Sequence, residues 1–145
     1  MSKPAQLPIY RAVERLMIWA IPVVERLPKS LPYQTLGGLL IRDIRECMDA
    51  VILTTQASDY TRIEALNILV ARMTSVKTTM RVLKASKKIT AQQEVQFLDL
   101  INPIAMQAGA WMCKIKKEAS PNSDNDSADL KQAGIIISRK HSRLR

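Results

Sequence analysis

The sequence predicts an all-α chain folded as an up-down-up-down four-helix bundle, and three observations lead there. Apolar residues make up 47% of the 145 positions but aromatics only 4%, so the core must be built from Leu, Ile, Val, Met and Ala. Four glycines are too few for a glycine-punctuated sandwich or a dinucleotide fold. Apolar positions recur at spacings of 3 and 4 in four separate segments, and none alternates with the period of 2 expected of a half-buried strand. A chain of this length buries roughly two thirds of its unfolded surface, enough for one real core.

The first helix, about residues 8–28, carries Ile9, Val13, Leu16, Ala20, Val23 and Leu27 on one side. Pro28, Ser30 and Pro32 then break the chain, because proline cannot donate within a helix and biases its predecessor away from one. The second helix, about 35–56, carries Leu36, Leu40, Ile44, Cys47 and Val51. Ser58-Asp59 caps the third, about 59–87, whose seam Leu66, Leu69, Met73, Val76, Met80, Leu83 has no polar intruder. Thr90-Ala91-Gln92-Gln93 fits a capping box for the fourth, about 91–117, with Leu98, Ile101, Ala105, Ala108, Met112 and Ile115 on its seam. Short connections between helices of similar length make antiparallel neighbours. Pro22 and Pro103 fall inside helices one and four and should kink or interrupt them.

Residues 1–117 form the bundle; residues 118–145 form a polar linker, SPNSDNDSAD from Ser120 to Asp129, and a basic tail. Within that tail the Ile135-Ile136-Ile137 patch could dock on the bundle or on a partner. The remainder reads as flexible.

Several function classes drop out. No apolar run reaches the roughly 18 residues of a membrane span, and the opening MSKPAQLPIY lacks the apolar stretch of a signal peptide, so a cytoplasmic location without membrane association is expected. The single histidine, His141, sits in the basic tail, and no second one exists to build a zinc site or a triad. No glycine-rich phosphate loop is present, and the carboxylates lie between cationic neighbours. Cys47 and Cys113 have no partner motif and read as buried free thiols. The expectation is a non-enzyme with no catalytic residues, no cofactor and no metal.

Charge is the informative feature. With 22 Lys/Arg against 13 Asp/Glu the net charge is +9. Seven cations (Arg62, Arg72, Lys77, Arg81, Lys84, Lys87, Lys88) face Glu64 alone between residues 60 and 90. Lys77, Arg81, Lys84 and Lys88 step by 4, 3 and 4 and would share one stripe of helix three. That stripe would span about 16 Å at 1.5 Å per residue, room for two or three phosphates. No acid shares it, so an anionic partner would relieve its self-repulsion; Arg72 and Lys87 are candidate contacts beside it. The alternative is a solvated face near a helix C-terminus, where the dipole favours cations anyway. No aromatic residue interleaves with these cations, so phosphate contact rather than base stacking is expected. On helix four, Phe97, Ile104 and Trp111 recur every seven residues and widen the apolar face, as deep core positions or as an oligomer interface.

The order Leu7-Pro8-Ile9-Tyr10, Leu27-Pro28-Lys29, Tyr33-Gln34-Thr35-Leu36-Gly37, Lys77 to Leu83 and Gly109-Ala110-Trp111 resembles one family of small four-helix bundles. That family comprises the accessory variability determinant proteins of diversity-generating retroelements and the proteins encoded in 23S rRNA intervening sequences. The resemblance covers residues 8 to 117. It implies a homopentameric barrel with a basic channel that binds the element's reverse transcriptase and template RNA or DNA in support of mutagenic copying. It implies binding roles for Lys77, Arg81 and Lys84, and a tight turn before helix two at Tyr33, Leu36 and Gly37. Departures are Thr74, where an acidic residue is common, Leu39 and Met106, where basic or polar ones are, and Pro103. The intervening-sequence branch, without a polymerase partner, and a purely structural helical oligomer are the alternatives.

Overall fold

The computed structural model of the chain describes residues 6–55 and 58–119. Four helices fill them: α1 Pro8–Glu25, α2 Leu31–Thr54, α3 Asp59–Ala85 and α4 Ala91–Ala119. Each packs on the next and α4 returns to α1, closing a ring of antiparallel neighbours. The α1–α2 and α3–α4 connections therefore share one end of the bundle. Among the described residues no helix is long and apolar enough to cross a membrane. The linker and tail from residue 120 onward, with the Ile135 patch and His141, lie outside the described residues.

The helix starts follow local chemistry. Pro8 opens α1, where its missing N–H has no intrahelical partner to lose. Ser58 caps α3 by accepting from the Thr61 N–H at 3.5 Å. The capping box of α4 is complete: the Gln93 N–H donates to Thr90 Oγ1 at 3.1 Å, and the Thr90 N–H donates back to Gln93 Oε1 at 2.8 Å.

Helix α2 begins at Leu31, earlier than expected, because Ser30 adopts the extended cap conformation and Pro32 lies in the first turn. Proline at that position starts a helix rather than breaking one. Tyr33, Leu36 and Gly37 thus lie inside α2, which corrects the tight turn expected of them. Pro22 and Pro103 interrupt nothing either: α1 and α4 run through both, and both rings face solvent.

The core is one cluster of mainly aliphatic side chains, with Phe97 its buried aromatic among the described residues. The expected seams of α1 and α3 are buried at every position, and Leu40, Ile44, Cys47 and Val51 supply α2's share. The seam of α4 differs. Leu98 is 41% exposed, whereas Phe97 and Ile104 are 3% and 1% exposed inside the monomer. Two adjacent apolar rows run along α4, and the buried arc is centred on Phe97, Ile101, Ile104, Ala108 and Ile115. Of the two readings open for Phe97 and Ile104, burial within the monomer makes them core residues rather than an oligomer interface. Trp111 is partly buried and packs against the same core.

Gly37 shows why α1 and α2 approach closely. A Cβ there would stand 2.7 Å from Val24 Cγ1, a stiff β-branched neighbour, while one on Gly38 meets nothing within 4 Å. Gly38→Ala should therefore stabilise the protein by up to about 1 kcal/mol through helix propensity. Gly37→Ala should destabilise it, since an overpacking cost of about 1–3 kcal/mol outweighs that gain. Urea denaturation of the two variants checks the opposite signs.

Cys47 is buried, its thiol 4.0 Å from the Leu69 carbonyl, whereas Cys113 is exposed, contrary to the expectation that both are buried. Burial above all, with the negative charges of Asp43 and Glu46 added and Arg72 opposing, pushes the Cys47 thiol from 9.0 up to about 12. Its folded value lies above its unfolded one, so this contribution to stability is complete below pH 9 and lost as pH rises toward 12. In the native protein at pH 8, iodoacetamide should label Cys113 and spare Cys47, with both labelled in denaturant; mass spectrometry reads the stoichiometry.

Candidate nucleic-acid interface

The cations of α3 fall into two groups with different surroundings. Lys77 and Arg81 are exposed and Lys84 half-buried on the flank of α3 that faces α4. Lys77 and Arg81 border a groove of about 480 Å³ between the two helices, with Thr74, Thr78, Met80, Glu94, Phe97 and Leu98. None of the three makes an ion pair among the described residues. Glu94 lines the same groove, brought by α4 to a place that the α3 sequence leaves acid-free. The hydroxyls of Thr74 and Thr78 donate to the carbonyls of Val70 and Thr74 at 3.0 and 2.9 Å, so the groove's free donors are cationic.

Lys87 and Lys88 are not on the helix. The helix stops at Ala85, Ser86 caps it, and Lys87 takes the left-handed conformation at φ 60°. The Lys87 N–H donates to the Lys84 carbonyl at 3.0 Å and the Lys88 N–H to the Leu83 carbonyl at 2.9 Å, the paired bonds of a Schellman stop. The expected four-cation stripe is therefore three cations on α3 and a fourth beyond it. Lys88 instead places its ammonium 5.2 Å from the centre of the Tyr33 ring, at the start of α2.

Arg72 has another role. Its Nε pairs with Glu46 Oε2 of α2, and Arg42 reaches the same carboxylate at 4.0 Å. Arg45 pairs with Asp49 at 3.4 Å and Arg62 with Asp59 at 3.7 Å. All four arginines of α2 and the first half of α3 are thus matched by acids, and Arg72 holds two helices together rather than awaiting a partner. Asp43 lies in the same cluster, buried, with Arg42 3.8 Å away.

Sequence reasoning missed two participants. Arg26, at the end of α1, lines a second cavity of about 310 Å³ with Thr90, Gln92, Gln93 and Gln96. Lys29, in the α1–α2 connection, is exposed. Their membership follows from topology alone, because they are distant in sequence from α3. What the arrangement offers chemically is fixed positive charge on a rigid scaffold, suited to phosphate oxygens. No family model, no curated protein and no solved structure matches this chain.

Proposed function

We propose that this chain is a non-enzymatic nucleic-acid-holding protein that grips phosphates through Lys77, Arg81 and Lys84. One observation carries the reading: the arginines of α2 and early α3 are each paired with an acid, whereas these three cations make no ion pair among the described residues. Like charges on neighbouring turns of one helix repel. A polyanion offsets that repulsion and gains entropy from released counterions.

The resemblance to the retroelement accessory proteins gives this activity a setting: a homopentamer that presents template RNA or DNA to a reverse transcriptase. Val95 and Met106, 57% and 75% exposed on α4, offer apolar surface for contact between copies. Light scattering should find five copies of the 16.3 kDa chain at micromolar concentration, and a monomer would contradict the pentamer. Co-purification with the reverse transcriptase of its own element tests the partner.

The binding test uses a labelled single-stranded RNA in an anisotropy titration. Three phosphate contacts give log K against log salt a slope of at least about −2. Binding should be lost when Lys77, Arg81 and Lys84 become Glu. A slope near zero would instead make the cations a solvated helix end, favoured there by the dipole.

A further inference from the structure

The cations without acid partners do not stop at the end of α3. The topology brings the α1–α2 and α3–α4 connections to one end of the bundle, and two contacts fix their proximity. Lys88 stands over Tyr33 of α2, and Arg26 of α1 shares a cavity with Thr90 and Gln92 at the start of α4. That end carries Arg26, Lys29, Lys87 and Lys88. None of these four makes an ion pair among the described residues, and the acids in the neighbouring segments are Glu25 and Glu94. The shape is rigid. Gln34 Nε2 donates to the Pro28 carbonyl at 3.0 Å across the first connection, and the Schellman bonds and capping box hold the second.

We propose that the anion-binding surface turns from the α3 flank across this end of the bundle, over Lys87 and Lys88 to Lys29 and Arg26, and that its ligand is single-stranded nucleic acid. The inference rests on the phosphate-binding reading above and extends it. Helices packed about 8–10 Å apart make the crossing from α3 to α1 a path of roughly 15–20 Å that bends from the side of the bundle onto its end. A duplex, stiff over about 150 base pairs, does not follow such a bend, whereas a single strand does. Lys87 suits the corner because its left-handed backbone ends the helix and leaves its side chain exposed.

The experiment compares three full-length proteins on one 20-nucleotide single-stranded RNA and on a duplex of equal length, by anisotropy across a salt series. The wild type, with seven cations engaged, should show a slope of about −5 on the single strand. Replacing Arg26, Lys29 and Lys87 by Gln should bring the slope to about −3 and weaken binding about 100-fold at 0.1 M salt. The same triple change should leave duplex binding nearly unaltered. Circular dichroism confirms that the helices persist, and Gln, unlike Glu, adds no repulsion of its own.

If the end variant keeps the wild-type slope while reversal of Lys77, Arg81 and Lys84 abolishes binding, the extended path is overturned and the α3 site stands. If duplex binding falls as much as single-strand binding, the assignment to a single strand is overturned. If the wild type binds neither probe, both readings fall together.

Discussion

Reversing Lys77, Arg81 and Lys84 to Glu should weaken single-stranded RNA binding by at least about 100-fold at 0.1 M salt, from three lost phosphate contacts alone. The three new carboxylates add repulsion, so retention in a gel shift should vanish. Lys77 and Arg81 are exposed and Lys84 is half-buried, and none makes an ion pair among the described residues, so the change breaks no salt bridge there. The helical signal and the urea midpoint should therefore stay close to wild type. Reversing Arg72 serves as the contrast. It breaks the link to Glu46 between α2 and α3, and its cost should appear in stability, at up to about 1 kcal/mol for a half-exposed pair.

Phe97→Ala should destabilise the protein by about 3–5 kcal/mol. Phe97 is 3% exposed, its ring lies 6.1 Å from that of Trp19 on α1, and it borders the groove beneath Lys77 and Arg81. Trp19 is fixed in turn by its indole N–H, which donates to Gln96 at 3.1 Å. Removing the phenyl ring empties the place where α1, α3 and α4 meet. Because this is a loss within one chain, the fall in melting temperature should not change with protein concentration. A residue buried between copies would instead give a loss that shrinks as concentration rises.

Much of the fold was legible because it is written locally. Spacings of 3 and 4 place Leu66 through Leu83 on one side of α3 whatever surrounds it, and Thr90 with Gln93 names the start of α4. Proline was harder, since Pro32 reads alike as a stop and as a first-turn residue; the extended Ser30 before it decides. On α4 the rows through Phe97 and Leu98 are equally apolar, and only packing against α1 and α3 selects between them. The site was legible as a basic segment but not as a surface. Linear spacing cannot show that α3 unwinds before Lys88, that Glu46 neutralises Arg72 from another helix, or that Arg26 and Lys29 gather at the same end.

One titration decides whether the unpaired cations on the end and flank of this bundle hold a polyanion. Wild-type protein and a labelled single-stranded RNA are followed from 50 to 200 mM salt. Seven engaged cations should give strong binding at the low end and a loss of about 1000-fold at the high end, from a slope near −5. An anisotropy that never rises at 50 mM, or an affinity indifferent to salt, would contradict it.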